Sequence, residues 1–415
     1  MRKAKIKRIE RIEHYLVRII QQPGADQGHP WAVRMLLNLL KGISHVFKSV
    51  VLVRLFLYNA GIFRRYPLGC QVISVGNITA GGTGKTPVVE IFARELQKSG
   101  RKVAILSRGY RKKERPWFQR IFSETIEPPR VVSDGKRLLL DSEMGGDEPY
   151  MLANNLPGVV VLVDKNRVKS GRYAVKRFGC DTLILDDGFQ YQKLRHRLEI
   201  VLVDKTNPFG NRHLLPRGVL REPIRNLKRA DFIFITKSDG HSEALRQQIR
   251  ALNDHAEIIE CCHRPRYLQN VYTAERMSLE WLKGRTVTSL SGIAVPQSFE
   301  NSLRLMGARV IHCERYADHH RYHAQEIIDA VNRAADLHAD ALMTTEKDAV
   351  RFPRLETTPV PVYYVRVDIE LLSGAENFHD AVEHICFRKG APGKATPAGR
   401  TPEARAASRA EEGGS

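Results

Sequence analysis

The residues whose types and spacing could do chemistry most directly are Gly81-Gly82-Thr83-Gly84-Lys85-Thr86-Pro87. Glycines let successive backbone N–H groups turn inward around phosphate oxygens, and a following helix adds the positive end of its dipole. A lysine then reaches the β and γ phosphates, and a threonine hydroxyl ligates magnesium. Here those roles fall to the backbone of Thr79, Ala80, Gly81, Gly82, Thr83 and Gly84, to Lys85 and to Thr86, while Pro87 suits a first helical turn. The strict GxxxxGK[ST] pattern asks for glycine at position 79, where this chain has Thr79. An apolar run before the loop and a helical pattern after it still read the segment as a phosphate-binding loop.

Nucleotide phosphates that travel with magnesium require carboxylates. Leu183-Ile184-Leu185-Asp186-Asp187 is an apolar strand ending in two acids, which looks like a Walker B element, and Gln190 offers a further side-chain oxygen. Gly145-Gly146-Asp147-Glu148-Pro149 sets adjacent acids after two glycines and ahead of a helix-like stretch. It reads either as a helix-capping aspartate or as a pair that divides the work of phosphoryl transfer, one acid taking a hydroxyl proton and the other holding metal. Asp318-His319-His320-Arg321-Tyr322-His323 is too crowded, with no second cluster, to favour a metal site. It is an exposed loop, or it brings an imidazole across a cleft to assist an acid. Thr344-Thr345-Glu346-Lys347-Asp348 reads as a loop that caps a following helix.

These groups need a scaffold, and the chain from residue 71 onward alternates short apolar runs with helical patterns. Runs at 72–75, 103–106, 159–163, 183–185, 200–203 and 232–235 predict strands buried on both faces of a parallel sheet, with ligands at their carboxyl ends. The expected fold is α/β: a P-loop NTPase-like, doubly wound, mostly parallel sheet, a second, smaller α/β domain and an N-terminal amphipathic helical segment. The divisions predicted are a membrane-associating segment at 1–66, a kinase domain at 67–280, a C-terminal α/β domain at 281–387 and a disordered tail at 388–415.

The 415 residues include 42% apolar and 27% charged side chains, which excludes wholesale disorder, a collagen-like fibre and a polytopic membrane protein. Net charge is 66 − 46 = +20, and residues 1–65 hold 13 Lys/Arg against three acids, so half the excess lies in one segment. That balance favours an anionic partner. Within 31–58, Val33, Leu36, Leu37, Leu40, Phe47, Val50 and Val51 recur at helical spacing, while Arg34, Lys41 and Lys48 repeat every seven. The longest uncharged stretch there, 55–63, falls short of the roughly twenty residues of a spanning helix. An interfacial helix on an anionic bilayer is therefore expected. The six cysteines are scattered without a CxxC pair, and no cleavable signal is apparent, which predicts a reducing, cytoplasmic setting.

Two other readings compete: a P-loop ATPase or GTPase of the partition, metallochaperone or targeting type, and a nucleic-acid-binding module. Thr236-Lys237-Ser238-Asp239 weakly matches the guanine-reading NKxD of GTPases, but Thr236 replaces its asparagine. The basic charge also suits a nucleic-acid-binding module, yet no such signature appears and the basic segment lacks stacking aromatics, so no nucleic acid is expected.

The ordered set of strings resembles the tetraacyldisaccharide 4′-kinases, the lipid A 4′-kinases of Gram-negative bacteria. It runs through Val75-Gly76-Asn77, GGTGKTP, Ser107-Arg108-Gly109-Tyr110, Gly146-Asp147-Glu148-Pro149 and Asp186-Asp187-Gly188-Phe189-Gln190. It continues through Leu214-Leu215-Pro216-Arg217-Gly218, Leu220-Arg221-Glu222-Pro223, Gly292-Ile293-Ala294, Asp318-His319 and Thr345-Glu346-Lys347-Asp348. The resemblance implies transfer of the ATP γ-phosphate to the 4′-hydroxyl of a tetraacylated glucosamine disaccharide 1-phosphate, in lipid A biosynthesis at the cytoplasmic face of the inner membrane. It implies that Lys85 and Thr86 hold phosphate and magnesium, and that Asp147 acts as base supported by His319. By the same resemblance Glu148, Asp187 and Gln190 serve the metal, and Arg108 contacts phosphate or substrate. Tyr191 stands where the family usually has histidine, and Arg217 and Val219 depart from its LPAGPLREP string.

Overall fold

A computed structural model describes residues 30–82, 84–109 and 127–387. The basic stretch before residue 30, Thr83, Tyr110 and the tail from 388 lie outside the described residues. The chain starts with α1 (Trp31–Asn59), and β1 (Gln71–Asn77) leads through the glycine loop into α2 (Lys85–Lys98). Then come β2 (Val103–Ser107), β3 (Arg130–Asp134), α3 (Ser142–Gly145), α4 (Asp147–Asn155), β4 (Val160–Val163), α5 (Arg167–Phe178) and β5 (Thr182–Asp186). After β6 (Leu198–Asp204), β7 (Phe232–Thr236) and α6 (Glu243–Arg250) the chain enters the long β8 (Glu257–Asn270) and the short β9 (Arg276–Met277). It closes with β10 (Thr286–Ser291), α7 (Pro296–Leu305), β11 (Arg309–Arg315), α8 (Ala324–Asp336), β12 (Ala341–Thr345), α9 (Glu346–Ala349), β13 (Val362–Ser373) and α10 (Ala375–Phe387).

The thirteen strands among the described residues belong to one sheet, in the order β11-β10-β12-β13-β8-β7-β6-β1-β5-β2-β4-β3, with β9 beside β8. The six predicted apolar runs are β1, β2, β4, β5, β6 and β7, and they pair in parallel, β1 lying between β5 and β6. Helices cover both faces, which is why these strands read as continuous apolar runs. The sheet reaches its distal half through β8 and β13, which pair antiparallel along nearly their whole length. Pro265 lies within β8, opposite Val367, beside a register shift that accommodates a residue without an N–H. The phosphate-loop helix α2 is fixed by a trio of edge-on aromatic rings, Phe92, Phe234 and Phe378, with centroids 4.8–6.5 Å apart.

Helix α1 touches the body along one stripe, Leu37, Ser44, Val51 and Leu55, spaced by seven or four. Ser44 fastens it, its Oγ donating to Leu214 O (2.8 Å) and accepting from Arg217 N (3.0 Å). Met35, Leu39, Ile43, Val46, Val50 and Val53 are exposed, and helical spacing sets them on the side away from the body. The helix is longer than an uncharged run of nine residues suggests: by length and composition it is apolar enough to cross a membrane. Scattered lysines and arginines interrupt the run without removing the apolar face.

Candidate active site

At the carboxyl end of β1 the chain enters the glycine loop and turns into α2 at Gly84, in left-handed conformation (φ 78°). A Cβ there would lie 2.7 Å from the His263 ring of β8, so glycine is required twice over. Thr79, the residue that breaks the sequence pattern, is extended and buried, bridges Leu220 and accepts a hydrogen bond from Asn77 Nδ2 at 3.4 Å. Nothing at position 79 calls for glycine in this chain. Ala80 N donates to Val219 O (2.6 Å), so the departing 214–223 string is the strap that holds the loop.

Lys85 Nζ lies 3.4 Å from Asn77 Oδ1 and 3.5 Å from Asp187 Oδ1, which links the loop to the end of β5. Asp187 takes φ 56° and is gripped by Arg221, whose Nη1 donates to both carboxylate oxygens at 2.7 and 2.8 Å. Burial pulls its carboxyl up, but Lys85 and Arg221 outweigh burial and hold it below the usual range. Asp186 behaves in the opposite way: burial and the charge of Glu148 push it up to about 6, despite Lys85 and the Ser107 hydroxyl at 3.1 Å. Gln190 Nε2 donates to Asn77 O (2.8 Å), which leaves its carbonyl oxygen as the group available to a cation. Arg108 is exposed just beyond β2, the strand beside β5.

Asp147 is the first residue of α4 rather than a cap. The cap position belongs to Gly146, while Asp141 caps α3 through Met144 N at 2.8 Å. The Asp147 carboxylate instead meets the distal half of the sheet. His319 Nδ1 lies 3.1 Å from its Oδ2, Arg351 Nε 3.1 Å from the same oxygen, and Arg321 Nη2 3.0 Å from Oδ1. The arginine contacts are ion pairs without hydrogen-bond alignment, so among the described residues no aligned donor reaches Oδ1. Burial pulls this carboxyl up, and the His319 hydrogen bond with the Arg351 and Arg321 charges brings it below the usual range. Lys347 Nζ stands 3.3 Å from His319 Nε2. An ammonium only donates, so this contact assigns the Nδ1–H tautomer and points the ring proton at Asp147.

A buried cluster behind His319 gives the distal strings their purpose. Asp348 Oδ1 accepts from Gly292 N (3.1 Å) and from Tyr322 Oη (2.9 Å) and pairs with Arg351 Nη1 (3.3 Å). Gly292 O in turn accepts from His319 N at 3.2 Å. The expected capping role holds as well, since Thr345 Oγ accepts from Asp348 N (3.1 Å). Among the described residues no three His, Cys, Asp or Glu side chains form a ready metal cage.

The structure thus gathers Lys85, Asp187, Gln190, Asp147, Glu148 and His319 on connected elements, gives Arg221 and Arg321 of the quoted strings acids to pair with, and adds Arg351, which lies in none of those strings. The NKxD-like string is otherwise engaged, with Ser238 Oγ bonded to Glu260 (2.6 Å) and Lys237 paired with Asp204 (2.6 Å). Of the departures from the expected strings, Tyr191 lies under the Arg167 guanidinium (4.8 Å) and Arg217 is buried where α1 docks.

Known proteins match this chain over most of its length. The family model for tetraacyldisaccharide-1-P 4′-kinase matches residues 36–386. The tetraacyldisaccharide 4′-kinase of Syntrophus aciditrophicus (strain SB) is 36% identical over 365 residues, covering 85% of this chain and 93% of its own. That of Anaeromyxobacter dehalogenans (strain 2CP-1 / ATCC BAA-258) is 41% identical over 344 residues, covering 81% and 87%. The crystal structure of "apo" form LpxK from Aquifex aeolicus, in complex with ATP, superposes with a TM-score of 0.67 at 28% identity, over 85% of this chain and all of that one. A phosphate loop, strand-end acids and an Asp–His pair, on a chain matched over most of its length, make this protein a member of the tetraacyldisaccharide 4′-kinase family, a phosphotransferase of lipid A biosynthesis.

Proposed function

We propose that the enzyme transfers the γ-phosphate of ATP to the 4′-hydroxyl of a tetraacylated glucosamine disaccharide 1-phosphate, with the roles divided as follows. The loop 79–84, Lys85 and Arg108 hold the phosphates, and Lys85 neutralises charge as the bond to the β-phosphate breaks and ADP leaves. Asp147 accepts the hydroxyl proton as the new oxygen–phosphorus bond forms. His319 orients Asp147 through Oδ2.

Thr86, Glu148, Asp187 and Gln190 are the residues that would hold magnesium. The donor set fits, because burial and the charge of Glu148 raise the Asp186 carboxyl even with Lys85 beside it, so the acids there outweigh that cation. The chemistry that magnesium would supply there is neutralisation of phosphate charge during transfer.

The observation that carries this reading is the meeting of the Asp147–His319 pair with the loop, through Glu148 and the β5 acids. The exposed apolar face of α1 supports a place on the cytoplasmic face of the inner membrane, where the lipid acceptor is reached. In this reading residues 67–280 carry the phosphate machinery, 281–387 bring His319 and its scaffold, and 1–66 supply the membrane contact. The test is transfer from γ-labelled ATP with magnesium to detergent-solubilised tetraacyldisaccharide 1-phosphate. A labelled 4′-phosphate, absent with Lys85→Ala, is the expected product. Hydrolysis without transfer, also lost in that variant, would keep the loop and overturn the acceptor.

A further inference from the structure

Arg64, Arg172 and Lys193 converge on one aromatic ring, with their charged groups 5.5, 5.5 and 5.9 Å from the centroid of Tyr66. They come from three separate stretches: the segment after α1, the outer side of α5 and the turn before β6. A small backbone pairing gathers them, Tyr66 N donating to Lys193 O (2.9 Å) and Arg195 N to Tyr66 O (3.1 Å). Arg65 extends the group toward α1. Its guanidinium lies 5.9 Å from the Tyr58 ring and donates to the neutral side chains of Asn59 (2.8 Å) and Gln192 (3.3 Å).

All four cations are exposed. Among the described residues no ion pair joins an acid to Arg64, Arg65, Arg172 or Lys193. A tyrosine face attracts cations but does not cancel their charge, so the cluster is stabilised further by an anion laid across it. Its position says which anion. It begins in the last turn of α1 beside exposed Ile62 and Phe63, where arginines and amphipathic rings suit the depth of lipid headgroups.

We propose that Arg64, Arg65, Arg172 and Lys193, gathered around Tyr66 and Tyr58, form a headgroup-binding surface that seats the folded body of the enzyme on an anionic bilayer. The proposal rests on the reading of α1 as the membrane contact and adds a second, electrostatic contact made by the kinase body itself. The helix supplies sequence-independent apolar burial. The cluster supplies selectivity for anionic lipid, fixes how the body sits over the surface and makes association salt-dependent.

The test is sedimentation of the full-length protein with vesicles of phosphatidylcholine, either alone or with phosphatidylglycerol. Near a charged surface each cation contributes roughly fivefold to partitioning, so the variant Arg64→Gln/Arg172→Gln/Lys193→Gln should bind the anionic vesicles roughly a hundredfold more weakly at low salt. It should bind neutral vesicles unchanged, and the difference should vanish in high salt. Unchanged binding to anionic vesicles, or equal loss on both kinds, overturns the proposal.

Val46→Asp/Val50→Asp tests α1 separately. Loss on both vesicle types supports the helix reading, and retention on both removes that reading while leaving the anionic-selective difference to be judged alone. Turnover in neutral detergent micelles distinguishes bilayer headgroups from the acceptor's own phosphate. An unchanged KM is expected of the triple variant. A raised KM with normal vesicle binding assigns the cluster to the acceptor and overturns the bilayer assignment.

Discussion

Arg351 has no exposed side-chain surface, yet its Nε reaches 3.1 Å from Asp147 Oδ2, across the join between the proximal and distal halves of the sheet. Its other end pairs with the fully buried Asp348. One guanidinium therefore ties the proposed base to the scaffold that carries His319. Removing it leaves Asp348 buried without its cation, which costs about 3–5 kcal/mol for a broken buried pair. Arg351→Met should lower the urea midpoint accordingly, whereas Arg321→Gln, at a half-exposed contact, should leave it nearly unchanged. Equal midpoints for the two variants would deny Arg351 its structural role.

Asp147→Asn keeps the shape of the side chain and removes its basicity. If Asp147 takes the hydroxyl proton, kcat should fall by roughly 10²–10⁴ with KM for both substrates little changed. His319→Ala should fall less, since the ring acts through Asp147. Parallel losses in binding for Asp147→Asn would return this residue to a structural role.

How much of this was legible beforehand depended on the range of the interaction. β1, β2, β4, β5, β6 and β7 were legible because strands covered on both faces read as near-continuous apolar runs, and the phosphate loop because its chemistry is contiguous. β8 and β13 were not, because their half-exposed ribbon carries Arg264, Arg266, Asp368 and Glu370 as well as Pro265. Arg221, Arg321 and Arg351 find their acids far away in the chain, and periodicity describes only neighbours within one element. The Asp147–His319 contact was reached by resemblance, not by spacing.

Gly292→Ala tests whether the distal string is scaffold. The added Cβ would lie 2.7 Å from Tyr322 Oη, 3.1 Å from Ala317 O and 3.2 Å from Asp348 Oδ1. Such overpacking typically costs about 1–3 kcal/mol. Because Gly292 O accepts from His319 N, kcat should also drop while KM for ATP stays near normal. A change in ATP binding alone would contradict this arrangement.

Thr79→Gly restores the strict loop pattern and should gain nothing. Position 79 is extended and bridged to Leu220, so glycine there adds only freedom to the unfolded chain and removes the acceptor of Asn77. Stability should fall by roughly 0.5–1 kcal/mol, with KM for ATP no better. A tighter KM would mean that the threonine restrains the loop.

Asp186 yields a prediction whose sign depends on pH. Its carboxyl is pushed up to about 6 from an ordinary value near 3.8, first by burial and then by Glu148. The folded state thus holds a proton that the unfolded chain releases earlier, so ionisation works against the fold increasingly as pH rises from about 4 through about 6. Asp186→Asn removes that cost. In the absence of nucleotide the variant should melt at higher temperature than the parent at pH 7.5, and the gain should shrink toward pH 4, where Asp186 is protonated anyway. Magnesium and ATP should narrow the gap at pH 7.5 from the parent's side, because a cation near Glu148 and Asp186 relieves their repulsion. A thermal-shift series over pH, with and without magnesium and ATP, measures both effects. A variant less stable than the parent at pH 7.5 would show that Asp186 is held ionised by the fold and that the repulsion does not govern this site.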